Sequence, residues 1–226
     1  MSLPLNQVIQ GDCLEIMDTF PSESVDLVVT DPPYGLNKVE IENDDNLDMF
    51  FMSLPKIYRL LKQNSWFITF FSLKYLPLCF RGNPFSYVWL GTIHHINRTF
   101  KAPSPVGFNV QINFVVFKKG SPKIYRQTRD VIIQKGGYDL GGMSSNRYGK
   151  QYEVKPLHPI MKIIECFSKE GDIVLDPFLG SGTTAVACKN LNRKYVGIEI
   201  SQKYFAIAQG RLERITSLLV ESEANE

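Results

Sequence analysis

The sequence lacks long apolar runs, C-x-x-C pairs of cysteines and histidines at metal-binding spacing, and each absence argues against a class of protein. No apolar run approaches the roughly 18–20 residues that a membrane-spanning helix needs, so no membrane contact is expected. The four cysteines contain no C-x-x-C pair, which argues against a zinc ribbon or a disulfide framework and fits a reducing cytoplasm. His94 and His95 are adjacent and so point in different directions, and no metal site is predicted.

The order of apolar segments predicts an α/β fold. The chain has 226 residues, of which 44% are hydrophobic, enough for one domain with a substantial core. Strands are predicted at residues 7–10, 24–30, 66–71, 86–95, 109–118, 172–175 and 195–200. Helices are predicted at 14–20, 47–62, 74–80, 158–167, 183–191 and 202–219. The helix at 47–62 should be kinked or split by Pro55, while 101–107 is a Pro-rich link and 121–152 is loop-rich. Alternating strands and helices indicate a mostly parallel sheet with helices on both faces.

Positive charge is concentrated in the middle third of the chain. Residues 81–155 contain 12 Lys and Arg against 3 Asp and Glu, a local net charge of +9, whereas the whole chain carries only +2. Such a region can lie along a polyanion and release its counterions. A solvated basic surface gives the same pattern, so the charge alone leaves both interpretations open.

A glycine-rich turn, DPFLGSGTT at 176–184, lies between a predicted strand and a predicted helix. Gly180 and Gly182 allow a tight turn and close approach to a ligand, and the helix that follows offers unpaired N–H groups. Glu199 ends the next strand, where a carboxylate can accept both hydroxyls of a ribose. No Lys follows the glycines, so a nucleoside-triphosphate loop is excluded, and the third glycine of the dinucleotide fingerprint is missing. A simple helix cap with two packing glycines remains open.

A second motif, DPPY at 31–34, directly follows a buried strand. Its prolines make the turn rigid. The turn presents the Asp31 carboxylate, the carbonyl of Pro32, which Pro33 leaves available because it has no N–H, and the ring of Tyr34. Two acceptors beside an aromatic ring suit a planar ring with an exocyclic NH₂. The tetrapeptide by itself is also common in ordinary loops, and the glycine turn with Glu199 is what favours the functional interpretation.

Together these motifs resemble the DNA amino-methyltransferases that use S-adenosylmethionine, in their permuted beta group. The resemblance covers nearly the whole chain in order. It implies a Rossmann-like, mostly parallel seven-stranded sheet, a circularly permuted motif order, and a single methyltransferase domain over 1–226 with a short target-recognition insert at about 120–152. The chain departs from the group at 151–154 (QYEV), because relatives often have His-Pro-Thr before Lys155-Pro156.

The resemblance also implies roles for individual residues. The catalytic residues are Asp31, Pro32 and Tyr34. The implied S-adenosylmethionine contacts are Asp12, Asp31, Lys155, Asp176, Phe178, Gly180, Ser181, Gly182, Thr183 and Glu199. Within the recognition insert, the residues expected to contact bases or phosphates are Lys123, Arg126, Arg129 and Arg147.

The implied reaction is direct methyl transfer to the N6 amine of a flipped adenine in a specific DNA sequence. Asp at the first tetrapeptide position favours adenine, whereas relatives with Ser there favour cytosine N4. RNA base methylation and a non-catalytic nucleic-acid-binding module also stay open. No Cys follows a proline, which argues against cytosine-C5 methylation. The expected partners are double-stranded DNA, a second copy of the chain and a cognate restriction endonuclease, and the expected location is the cytoplasm, in association with the nucleoid.

Overall fold

The fold is described from a computed structural model, which covers residues 2–33, 47–96, 100–104, 107–109, 111–127, 131–135 and 155–223. The strands are β1 Gln7–Gln10, β2 Val25–Thr30, β3 Leu61–Phe70, β4 Ser86–Ile96, β5 Phe100–Ser104, β6 Gly107–Asn109, β7 Gln111–Lys119, β8 Val131–Lys135, β9 Ile173–Asp176 and β10 Lys194–Glu199. The helices are α1 Cys13–Asp18, α2 Asp48–Leu60, α3 Leu157–Phe167, α4 Thr183–Asn190, α5 Gln202–Glu223 and a 3₁₀ helix, Leu73–Phe80. None of these helices is both long and apolar enough to span a membrane.

Eight strands form one mixed sheet in the order β1-β10-β9-β2-β3-β7-β4-β8. The first five are mutually parallel, β7 is antiparallel to both β3 and β4, and β8 is parallel to β4. β9 and β10 lie between β1 and β2 in the sheet, although they come last in the chain. The predicted α/β class and permuted order are therefore confirmed.

Two segments predicted to be irregular contain strands, and one of these strands, β8, raises the strand count of the main sheet from the predicted seven to eight. Residues 131–135 (VIIQK) form β8 within the segment predicted to be loop-rich, and Ile132 packs in the core opposite Ile93 of β4. The Pro-rich link at 101–107 contributes to a separate antiparallel pair, β5 with β6. All three strands are short, and their stability comes from pairing with a neighbour, which local composition does not reveal.

Helices cover both faces of the sheet and enclose two apolar clusters. One cluster joins α3, α4 and α5 to the sheet through residues such as Ile160, Val186 and Leu212. The other joins α1 and α2 to the opposite face through Met17 and Phe50, among others. Successive residues of a strand point to opposite faces, so the central strands are apolar along their whole length.

The helix α2 continues through Pro55 and is not split, which corrects that part of the prediction. Phe50, Leu54 and Ile57 lie at the i, i+4 and i+7 positions and are all buried. Burial of this apolar stripe outweighs the loss of the one intrahelical hydrogen bond that Pro55 cannot donate.

The strands β2 and β9 are direct neighbours, and this pairing brings the two sequence motifs together. Leu27 pairs with Val174 and Val28 with Leu175 in parallel register. Because the carboxyl ends of parallel strands lie at the same edge of the sheet, the turn after β2 lies beside the turn after β9. The proline corner (residues 31–33) and the glycine corner (residues 176–184) are therefore adjacent.

Candidate active site

The proline corner follows β2 directly and is linked to the neighbouring strand. Thr30, the last residue of β2, donates a hydrogen bond from Oγ1 to Oδ1 of Asp176 at 2.7 Å. Pro32 is buried, while the Asp31 side chain is 31% exposed and therefore accessible to solvent. Tyr34 lies outside the described residues. The corner thus holds an accessible carboxylate on a rigid backbone at the carboxyl edge of the sheet.

The glycine corner is built around the buried Asp176 carboxylate. Its Oδ1 also accepts a hydrogen bond from the backbone N–H of Phe178 at 3.1 Å, which folds the chain back into a turn. Burial raises the pKa of Asp176 to about 7, against the opposing effect of hydrogen bonds from Thr184 and Thr30. The charge of Asp31 raises this pKa further. Asp176 therefore acts inside the turn as a shared acceptor that joins β2 and β9.

Gly182 has a conformation and surroundings that only glycine fits. Its φ is +86°, in the left-handed region, and it caps the N-terminus of α4. A Cβ added there would lie 2.9 Å from the Cβ of Ala208 in α5. Gly180 also has a positive φ, +56°, but an added Cβ would meet nothing within 4 Å. The loop therefore passes close to α5 at Gly182 and faces open space at Gly180.

Glu199 at the end of β10 holds the glycine corner in place. Its Oε2 accepts a hydrogen bond from Gly180 N at 2.7 Å, and its Oε1 accepts one from Ser201 N at 2.8 Å. Its side chain is largely buried, at 9% exposure. Each carboxylate oxygen can accept two hydrogen bonds, so a ribose diol can be bound at a carboxylate that already orders the loop.

Asp12 lies after β1, the edge strand next to β10. Its Oδ1 accepts a hydrogen bond from Leu14 N at 2.7 Å and thereby caps α1. Gly11 N donates to the backbone oxygen of Glu199 at 3.0 Å, which fixes this segment beside the end of β10. Four carboxylate residues thus lie at the carboxyl ends of the adjacent strands β1, β10, β9 and β2, namely Asp12, Glu199, Asp176 and Asp31.

Lys155 connects the two corners. Its Nζ forms an ion pair with Oδ2 of Asp31 and lies 5.1 Å from the centre of the Phe70 ring. Its backbone carbonyl accepts a hydrogen bond from Thr183 Oγ1 at 3.4 Å. The sequence predicts Lys155 as a cofactor contact, and its pairing with the predicted catalytic carboxylate is an addition that no local pattern indicates.

Arg211 in α5 belongs to this site, although the sequence motifs do not include it. Its Nη1 donates to the backbone oxygen of Ser181 at 2.5 Å and lies 3.2 Å from Thr183 Oγ1. The side chain is only 5% exposed, and burial lowers its pKa to about 10, so it is charged at neutral pH. The sequence signal for Arg211 is its place on the helix, next to the apolar Leu212 and one turn after Ala208, where a side chain is expected to be buried. A buried cation requires a polar partner.

Comparison with known proteins identifies the family. Residues 25–210, more than four fifths of the chain, match the family model N6_N4_Mtase, described as DNA methylase. The chain belongs to this DNA methylase family. The predicted activity class, a DNA methyltransferase that uses S-adenosylmethionine, is thereby confirmed. The choice between the N6 and N4 amines is a finer question that family membership leaves open.

Individual relatives match along most of their length. YubD of Escherichia coli (strain K12), which carries the name of a methylase, is 28% identical over 98% of this chain and 96% of its own. The crystal structure of the M1.HpyAVI–SAM complex is 25% identical, with a TM-score of 0.71, over 91% of this chain and 98% of that one. PvuII DNA methyltransferase, described as cytosine-N4-specific, has a TM-score of 0.72 at 19% identity, over 93% of this chain and 90% of that one, and its likeness shows the fold alone.

The predicted DNA contacts of the methylase fall in two groups. Lys123 and Arg126 lie near the amino ends of the strands, since Trp66 Nε1 donates to Lys123 O at 2.7 Å and Arg126 forms a 2.8 Å ion pair with Glu165. This edge of the sheet is opposite Asp31. Arg129 and Arg147 lie outside the described residues. Contacts from Lys123 and Arg126 would thus reach DNA phosphates away from the target base, and they stay a prediction.

Proposed function

We propose that this methylase transfers a methyl group from S-adenosylmethionine to the exocyclic N6 of adenine in a specific sequence of double-stranded DNA. The observation that carries the proposal is the adjacency of Asp31 after β2 and the glycine corner after β9, which follow two hydrogen-bonded neighbouring strands. The resemblance favours adenine because Asp, and not Ser, begins the tetrapeptide at 31–34.

Asp31 and the carbonyl of Pro32 act on the amine. An adenine amine is a poor nucleophile because its lone pair is delocalised into the ring. When bound, the cofactor supplies a sulfonium methyl that is open to attack. Asp31 and the Pro32 carbonyl each accept one N–H, which holds the nitrogen in line and stabilises the positive charge that develops on it. Because Pro33 has no N–H, it does not compete for that carbonyl.

The rest of the site binds the cofactor and the extruded base. Glu199 accepts the ribose hydroxyls, Asp12 contacts the adenine amino group of the cofactor, and Phe178 with residues 180–183 lines its binding cleft. A base inside a duplex cannot reach Asp31, so it must rotate out of the stack, at a cost of a few kcal/mol, and stack on Tyr34.

Cytosine-N4 methylation is the second candidate. It is supported by one observation, that the matching family model carries both amines, N6 and N4, in its name. Both targets are exocyclic amines on planar rings, so Asp31 and Pro32 could act on either. The two functions differ in the size of the base that the cleft must hold.

The decisive experiment identifies the methylated nucleoside. The protein is incubated with labelled S-adenosylmethionine and mixed-sequence duplex DNA, and the digest is analysed by mass spectrometry, with a parallel RNA sample. We expect N6-methyladenine in DNA. The D31A variant should lose methyl transfer while S-adenosylhomocysteine binding, measured by calorimetry, largely survives. N4-methylcytosine would favour the second candidate, and turnover by D31A would refute the mechanism.

We further propose one domain over 1–226, with target recognition in the insert at about 120–152 and contributions from Lys123, Arg126, Arg129 and Arg147. The predicted partners are a second copy of the chain and a cognate restriction endonuclease, and the predicted location is the nucleoid. A protein that light scattering finds only as a monomer at micromolar concentration would contradict the homodimer.

A further inference from the structure

Lys155 touches both halves of the site at once. Its backbone is held near the glycine corner by the hydrogen bond that Thr183 donates to its carbonyl. Pro156 and α3 follow directly in the chain and restrict the backbone further. Its side chain reaches across to Asp31. The two paired side chains are 25% and 31% exposed, so the ion pair is partly exposed and reachable by a ligand. The proposed function assigns no role to this contact.

The contact with Lys155 opposes the role of Asp31 in methyl transfer. Positive charge grows on the target nitrogen during transfer, and Asp31 stabilises it only as a carboxylate whose charge is available. An ammonium on Oδ2 neutralises that charge and repels the target nitrogen. Chemistry at Asp31 is therefore favoured once Lys155 has moved away.

The charges around Lys155 favour a movement of its side chain when the cofactor binds. Three carboxyl groups lie along the carboxyl edge of the sheet, those of Asp31, Asp176 and Glu199. The charge of Asp31 already raises the pKa of Asp176. S-adenosylmethionine brings two cationic groups, a sulfonium and an ammonium, and one anionic group, its α-carboxylate. The cationic groups can compensate the acidic edge in place of Lys155. Lysine suits such a change because its compact charge sits on a flexible four-carbon chain.

We propose that Lys155 is a positioning residue that pairs with Asp31 before the cofactor binds and with the cofactor's α-carboxylate afterwards, which releases Asp31 for the target amine. This inference rests on the proposed function. The observed pair with Asp31 and the predicted cofactor contact are then two positions of one side chain. Cofactor binding thereby prepares the enzyme for the base and favours an order in which the cofactor binds first.

The test uses binding and needs no DNA. S-adenosylhomocysteine, which has the α-carboxylate, and methylthioadenosine, which lacks it, are titrated by calorimetry into the wild type, D31N, K155M and the double variant. D31N removes the charge that competes for Lys155, so the loss of S-adenosylhomocysteine affinity caused by K155M should be about two- to fivefold larger in the D31N background than in the wild type, as expected for a partly exposed ion pair. For methylthioadenosine, K155M should change the affinity little in either background. K155M alone should bind S-adenosylhomocysteine about two- to fivefold more weakly.

Two controls separate coupling from structural damage. K155R keeps the charge and should retain most of the S-adenosylhomocysteine affinity that K155M loses. Melting temperatures check each variant, and D31S replaces D31N if the latter does not fold. The inference is overturned if K155M lowers the S-adenosylhomocysteine affinity by the same factor in the wild-type and D31N backgrounds, because Asp31 and the α-carboxylate then do not compete for Lys155. If the folded wild type binds neither adenosine ligand, the proposed function itself fails.

Discussion

At the scale of single residues, the site uses carboxylates for different tasks that depend on their burial. Asp176 is buried and accepts hydrogen bonds from its own turn and from Thr30, so it orders the backbone. Glu199 is nearly buried and orders the loop through Gly180. Asp31 is the most exposed of the three and pairs with Lys155. Burial thus separates structural carboxylates from the one proposed to act on substrate.

Glu199 provides a test of the proposed ribose contact. Replacing it by Ala removes the acceptor for Gly180 N and Ser201 N together with the proposed acceptor for ribose. S-adenosylhomocysteine affinity should fall by about one to two orders of magnitude, since hydrogen bonds to a charged acceptor are worth about 1.5–3 kcal/mol. Calorimetry measures the loss, and E199Q is the matched control, which keeps one acceptor oxygen and the side-chain size. Unchanged affinity in E199A would rule out the ribose assignment.

Asp176 provides a pH test of stability. Its folded pKa, about 7, lies above the ordinary value of 3.8 because burial disfavours the charged form. The folded state therefore binds a proton more tightly than the unfolded state, and this contribution to stability is lost as the pH rises toward 7. The wild type should lose stability relative to D176N as the pH rises from about 4 to about 7, with little further change above pH 7. Urea unfolding at several pH values measures the difference, and a difference independent of pH would contradict the raised pKa.

At the scale of secondary-structure elements, the turn between β9 and α4 depends on its distance from α5. G182A combines a left-handed φ with a Cβ only 2.9 Å from that of Ala208, whereas G180A carries the unfavourable φ alone. We expect G182A to cost about 1–3 kcal/mol more than G180A in free energy of unfolding. The A208G substitution should recover part of the loss in G182A and none in G180A. Equal losses in the two single variants would show that α5 does not constrain the loop.

The elements that sequence predicts well are those with their own periodicity or turn chemistry. β2 and β9 are apolar runs that stop at Asp-Pro, and the sequence predicts each to within a residue or two. β8 and the β5–β6 pair escape prediction because their stability comes from partners distant in the chain. The same reason explains the site: Asp31 and Glu199 follow recognisable strands, whereas the Lys155 ion pair and the Arg211 contact arise only when distant elements pack.

At the scale of the whole molecule, the first and last parts of the chain interleave in one sheet. The strands β9 and β10 come at the end of the chain, yet they insert between β1 and β2. Pairing β9 with β2 closes a connection of more than 140 residues, and Thr30 with Asp176 joins the ends of these two strands. The cleft therefore forms only when both halves of the chain have folded together, so neither half alone holds a complete site.

The charge distribution of the whole molecule leads to a prediction about DNA affinity. If about six of the 12 cations between residues 81 and 155 contact phosphates, raising the salt from about 50 to 200 mM should weaken duplex binding by about a thousandfold, because counterions are released from the DNA. Fluorescence anisotropy with a labelled mixed-sequence duplex measures this slope. S-adenosylhomocysteine binding in the same buffers is the control and should change much less, because it has few charged contacts compared with a DNA backbone. A duplex affinity as insensitive to salt as that control would mean that the basic third is an ordinary solvated surface, and DNA would then be held by other residues.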